Sequence, residues 1–250
     1  MSLPLPPSTP MTKKYMRSFW LRLIVFLFVV VAYVMKSSEL DFTTHDQFVS
    51  ELSLLWLAML VSMLSQLNPN SALTTGCHKQ HSTHFEPVPD YDPQQLAQAL
   101  RREQRGAMRV AAVWLAINAP FGVLYHKGVL GVPELVLLSA LAFWFDLVCV
   151  LFFCPFQTFL MKNRCCVNCR IFAWGSWMMA APLMLVPHWY AQSLFWVGVL
   201  VMVVWEVRLR RHPERFWAGS NRRLQCARCT EQLCRYKHPR SPRFGGAAHK

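Results

Sequence analysis

Charge is scarce in this chain. Asp, Glu, Lys and Arg together make up 16% of its 250 residues, where a soluble globular domain carries about 25%. Acidic residues are the rarer sign, 13 against 26 Lys and Arg, for a formal net charge of +13. The shortfall argues against an ordinary cytosolic fold. With 54% apolar residues, 10 Trp and 17 Phe, the chain also lacks the composition of a disordered one. Catalytic signatures are missing too. There is no Walker loop, no H-E-x-x-H and no G-x-S-x-G, so nothing supports those enzyme classes. No internal repeat is visible, which disfavours an inverted-repeat transporter. No small-x-small cleavage site follows VAYVMKSSELD, so the first apolar run reads as an uncleaved anchor rather than a signal peptide.

What is present is apolar sequence in long runs. Six stretches stand out, about 18–35, 52–67, 110–125, 129–153, 171–186 and 190–207. A helix needs roughly 17–25 residues to cross the hydrocarbon, so the second and fifth are short. Lys and Arg alternate between the connections. Lys13, Lys14 and Arg17 precede the first stretch, and only Lys36 follows it. Lys79, Arg101, Arg102 and Arg105 precede the third, and only Lys127 follows it. Lys162, Arg164 and Arg170 precede the fifth, no basic residue separates it from the sixth, and twelve follow the sixth. Basic loops stay cytosolic. The pattern predicts an all-α, polytopic six-helix transmembrane bundle in the cell's inner (cytoplasmic) membrane, with both termini cytosolic. Its predicted parts are a disordered basic N-terminus (1–17), the bundle (18–207) and a basic, Cys-rich cytosolic tail (208–250). Within the bundle lie a cytosolic loop at 68–107 and a Cys-rich loop at 154–170. In the first of these, Asp92 can cap a helix that has Pro93 in its first turn. A short interfacial helix is expected there, leading into the third span.

Six of nine cysteines fall in two groups: Cys165, Cys166 and Cys169 in KNRCCVNCR, and Cys226, Cys229 and Cys234 in LQCARCTEQLC. Each group holds a C-x-x-C. The predicted topology puts both in the cytosol, where stable disulfides are rare. Two such knuckles supply a tetrahedral four-thiolate set, here Cys166, Cys169, Cys226 and Cys229. The chain between them is an out-and-back hairpin that returns the tail to the level of the loop. Structural zinc is the first reading. An iron–sulfur cluster drawing on Cys165 or Cys234 and a thiol–disulfide pair are the alternatives. Cys149 and Cys154 read as packing residues.

Weaker signals accompany this constellation. GCHKQHSTHF offers Cys77, His78, His81 and His84 as metal candidates, but its Thr, Ser and Gly fit a solvated polar loop better. Arg22 and Asp146 lie inside apolar stretches, where charge costs about 2.5–3.5 kcal/mol. They are expected to pair across the bundle, against the alternative of an Arg22 that snorkels to phosphates and a wet or protonated Asp146. The tail's twelve basic residues against two acidic ones read as attraction to anionic lipid. Few aromatics accompany them, which argues against nucleic acid.

Two stretches, FDLVCVLFFCPFQTFLMKNRCCVNCRIFAW and WEVRLRRHPERFWAGSNRRLQCARCTEQLC, resemble an uncharacterised family of bacterial integral membrane proteins. The resemblance covers about residues 140–237. It implies that Asp146, the CPFQ stretch and the six cysteines form one unit, and it supplies no mechanism. The functional expectation is a non-enzymatic membrane protein with a zinc-bound cysteine site and a basic surface for lipid or a partner subunit. A membrane redox protein with a redox partner is the alternative, which would make it an oxidoreductase. A small-solute transporter is a third reading.

Overall fold

The computed structural model of the chain describes residues 9–36, 40, 50–68, 78–163, 165, 169–229 and 233. Its α-helices are α1 (Pro10–Lys36), α2 (Ser50–Ser65), α3 (Pro93–His126), α4 (Val132–Leu151), α5 (Gly175–Ala180) and α6 (Trp189–Arg211). Among the described residues there is no strand, only one isolated bridge between Pro87 and Asn221. Four of the helices, α1, α3, α4 and α6, are long and apolar enough to cross a membrane.

The helix ends follow local chemistry. The Thr9 hydroxyl accepts from the Thr12 N–H (3.2 Å), and Pro10 sits at the first helical position, where its missing N–H costs nothing. The segment 1–17, expected to be disordered, is therefore helical from Pro10. Asp92 caps α3 as its sequence suggested, accepting from Gln94 N–H at 2.7 Å. That helix then runs unbroken for 34 residues, so the expected interfacial helix and the third span are one element. The run QQLAQALRREQR is rich in strong helix formers, and charge alone does not end a helix. At α4 the Glu134 carboxylate accepts from the Gly131 N–H (2.7 Å), closing its first turn.

The two short apolar stretches stay short. α2 has 16 residues, about 24 Å at 1.5 Å per residue, against a hydrocarbon core of about 30 Å. The fifth stretch is a composite, with α5 between 3-10 turns at Phe172–Trp174 and Ala181–Leu185. Pro182 lies in the second of these, where it removes a backbone donor.

Packing is tightest where small residues let backbones meet. A Cβ on Gly198 of α6 would lie 2.8 Å from the Ser176 carbonyl oxygen of α5. Gly106 of α3 instead makes room for a side chain, the Met161 sulfur of a π-helical turn at Phe156–Met161, to which a Cβ would stand at 2.8 Å. α1 and α4 are antiparallel: Arg22 meets Asp146 near the end of α4, and Tyr33 donates to Glu134 near its start (2.9 Å). The main core joins Val29, Met63, Leu135, Phe143, Val201 and Trp205. Outward faces carry large exposed apolar side chains such as Trp20, Ile24, Phe28, Leu115, Val123 and Trp196, as helices in contact with lipid do.

Candidate functional site

Three polar constructions stand out in this apolar molecule. The first joins a loop to the tail. Residues 78–92 dock on residues 213–229 through backbone hydrogen bonds. The Val88 N–H donates to the Ser220 carbonyl (2.9 Å), and the Arg222 N–H donates to the Glu86 carbonyl (2.8 Å). Asn221 is fully buried. Its amide donates to the carbonyls of Lys79 (3.1 Å) and Arg215 (2.8 Å), and its oxygen accepts from the Arg223 N–H (3.1 Å). Ser220 Oγ donates to the Glu214 carbonyl (2.6 Å). Glu86 binds the Arg223 guanidinium at 2.6 Å, with Arg228 at 3.6 Å. The two segments are thus one folded unit. Nothing in their hydropathy announces it, because the bonds run through backbone and short polar side chains.

Cysteines lie on this unit and beside it. Cys226 is exposed and Cys229 half-buried. The buried Lys79 brings Nζ to 3.9 Å from Cys229 Sγ. Cys165 packs against a cluster of Tyr15, Phe19, Leu147, Val150, Leu151 and Leu233. The Cys-rich loop and the tail therefore touch the same apolar patch. Cys169 belongs elsewhere, among Ala107, Val110, Ile171 and Trp174. Cys154 is buried, and its sulfur accepts from the Gln157 N–H (3.4 Å). Among the described residues no three His, Cys, Asp or Glu side chains stand close enough to share one ion. Cys166, Cys234, Cys77 and the His78 side chain lie outside the described residues. Of the other histidines, His81 is half-buried, with its Nδ1 3.3 Å from the hydroxyls of Ser82 and Thr83. Burial lowers its pKa from the ordinary 6.5, and the charges of Arg208, His84 and Arg215 lower it further. His84 is half-buried in the same turn.

The second construction is the Arg22–Asp146 pair. Arg22 Nη1 is 2.8 Å from Asp146 Oδ2 and 2.9 Å from the Phe143 carbonyl. Its guanidinium also lies 4.2 Å from the centre of the Phe143 ring. On the other side a Cβ on Gly175 would stand 2.9 Å from Asp146 Oδ1, so only glycine leaves that carboxylate its room. Next to it, Ser176 Oγ accepts from Gln66 (2.9 Å), which ties α2 to the same level.

The third was not foreseen. Arg170 Nη1 donates to Glu206 Oε1 at 2.6 Å, Nη2 donates to the other carboxylate oxygen, and Nη2 also reaches Gln104 Oε1 at 3.1 Å. Trp174 Nε1 donates to Glu206 Oε1 (2.8 Å). This cluster joins the loop before α5 to α3 and α6. The available signal was Glu206 itself, an acid at the end of an apolar run in a chain poor in acids.

No protein-family model, curated protein or solved structure matches the chain. Its four long apolar helices are compatible with an integral membrane protein that meets a lipid bilayer.

Proposed function

We propose that this chain is a non-enzymatic, multi-pass protein of the cytoplasmic membrane. Its loops and tail build one basic cytosolic platform, stabilised by a structural zinc ion on cysteine thiolates. The observation that carries this reading is the shared patch of Cys165 and Leu233 against the start of α1 and the end of α4. It draws the loop and the tail, each with a C-x-x-C, to one end of the bundle. Zinc favours such thiolate sets and would tie the ends of α4 and α6 together. On this reading the four ligands are Cys165 and Cys166 from the loop and Cys229 and Cys234 from the tail, of which only Cys165 and Cys229 are among the described residues. Cys169, set among apolar neighbours of α3, serves packing. The platform presents Arg210, Arg211, Arg222 and Arg228 to anionic lipid or a partner subunit. Basic loops and tail at one end accord with both termini in the cytosol and six crossings, the second and fifth with local thinning.

A redox reading has one observation in its favour, the Lys79 ammonium at 3.9 Å from Cys229 Sγ. A cation beside sulfur suits an anionic thiolate that attacks a disulfide as well as one that binds metal.

Anaerobic purification followed by metal analysis and a visible spectrum separates the readings. About one zinc per colourless chain is the expected result. Cys165→Ser with Cys229→Ser should abolish it, and Cys169→Ser should leave it. Iron with sulfide, or a metal-free chain whose cysteine pairs exchange with thioredoxin, overturns zinc in favour of redox chemistry. Retention of zinc in the double variant overturns the ligand assignment.

A further inference from the structure

The first half of α3 has two faces. Leu96, Gly106, Ala107 and Val110 are buried, and Gly106 lies against Met161. Arg101, Arg102, Arg105 and Arg109 are all exposed. At 100° per residue these four arginines fall within an arc of about 100°, turned away from the packed side. Among the described residues none of them lies within ion-pair distance of a carboxylate. Arg109 Nε donates to the Arg105 carbonyl (3.3 Å), which holds two cations side by side on one rigid helix. Like charges so placed repel unless an anion comes between them.

The same arc continues along the helix as an exposed apolar strip. Ala112, Ala116, Ala119, Pro120 and Val123 occupy it, and all are exposed. The helix has 34 residues and so spans about 51 Å, well beyond the hydrocarbon thickness of about 30 Å. Its turns up to Arg105 therefore project past the acyl chains. Counted from His126 at the other end of the helix, Arg109 stands about 26 Å and Arg105 about 32 Å along the axis, so Arg105 reaches the level of the lipid phosphates and Arg109 reaches it by extending its side chain outward. Arg101 and Arg102 are one turn farther out.

We propose that this face of α3 is a binding site for an anionic phospholipid. An acyl chain lies along Ala112 to Val123, the phosphate sits between Arg105 and Arg109, and Arg101 and Arg102 attract the remaining headgroup charge. The continuity of apolar strip and arginine ladder on one arc selects a lipid over a free phosphate ion, which would have no use for the strip. The site is built from α3 residues alone and uses none of the tail's basic side chains. It rests on the membrane part of the proposed function and not on zinc.

The test is native mass spectrometry of the full chain in detergent, titrated with phosphatidylglycerol, phosphatidylcholine or inorganic phosphate. The expected result is saturable binding of phosphatidylglycerol, weaker binding of phosphatidylcholine and no displacement by inorganic phosphate. Arg105→Gln with Arg109→Gln should weaken phosphatidylglycerol by about 25-fold, since about 1 kcal/mol per basic residue is fivefold each. Lys127→Gln, at the other end of the helix, should leave it unchanged. Equal binding by the double variant, equal binding of phosphatidylcholine, or displacement by inorganic phosphate overturns the proposal. Resistance of the chain to alkaline extraction from membranes, and its zinc content, are read on the same preparations, so failure of the lipid site is told apart from failure of the proposed function.

Discussion

Arg170 grips Glu206 with both terminal nitrogens of its guanidinium, and Trp174 donates to the same carboxylate. The Arg170 side chain is 4% exposed and that of Glu206 20%. A two-pronged pair this deep keeps two charges hydrogen-bonded where water cannot replace the partner. Removing Glu206 leaves the buried Arg170 charge with no carboxylate and only the neutral Gln104 oxygen at 3.1 Å, at a cost of about 3–5 kcal/mol. Glu206→Ala should therefore lower the thermal midpoint of the detergent-purified chain sharply. Glu206→Gln, which keeps an acceptor for Trp174, should fall in between. A Glu206→Ala chain as stable as the parent would show the pair to be dispensable.

The Arg22–Asp146 pair should respond less. Asp146 is 33% exposed at its side chain, and an Arg22 that loses it retains the Phe143 carbonyl and ring. Asp146→Ala is expected to destabilise less than Glu206→Ala. The pair's own coupling comes from a double-mutant cycle with Arg22→Met. Coupling of about 0.5–3 kcal/mol is expected for contacting residues, and a value near zero would mean that each side chain acts through other neighbours.

These two pairs mark how far the sequence could be read. A charge inside an apolar run is conspicuous because hydrocarbon penalises it, so Arg22 and Asp146 stand out and can be matched to each other. Arg170 and Glu206 sit at the margins of their runs, where a charge looks like part of a loop. Only the turn of chain through α5 shows that they meet. The long helices are legible for a related reason: α1, α4 and α6 keep apolar residues on every face. Both halves of α3 are legible, the first from the Asp92 cap and the second from its apolar run, but their continuity is not, since hydropathy stops at Val110 while the helix runs on through charged residues of high helix propensity. The docking of 78–92 on 213–229 leaves no periodic trace, because Asn221 and Ser220 act through backbone carbonyls.

Close backbone approach gives a further prediction. A Cβ on Gly198 would be 2.8 Å from the Ser176 carbonyl oxygen and 3.1 Å from Trp177 Cα. Both are backbone atoms, so α5 and α6 would have to move apart. Gly198→Ala should cost about 1–3 kcal/mol, as overpacking does. Gly122 is the control, since a Cβ there meets only the Leu185 Cδ1 methyl at 3.3 Å. Gly122→Ala should be close to neutral in the same unfolding assay. Equal responses at the two sites would contradict the packing seen between α5 and α6.

The loop-tail unit should loosen in acid. His81 has its pKa lowered from 6.5, first by burial and then by Arg208, His84 and Arg215. The folded unit thus binds its proton less readily than the unfolded segment does. The stability this confers is complete above the unfolded value of 6.5 and is lost as pH falls through the lower folded value. Amide hydrogen exchange across 78–92 and 213–224, corrected for intrinsic rates, should accelerate from pH 7.5 to pH 5.5. The amides of α4 should not follow. His81→Gln should remove most of the acid response. Asn221→Ala supplies the reference for an open unit, since it leaves the Lys79 and Arg215 carbonyls without their buried donor and should accelerate exchange at both pH values. If exchange at pH 5.5 matches that at pH 7.5 while Asn221→Ala still opens the segment, His81 does not control the loop-tail unit.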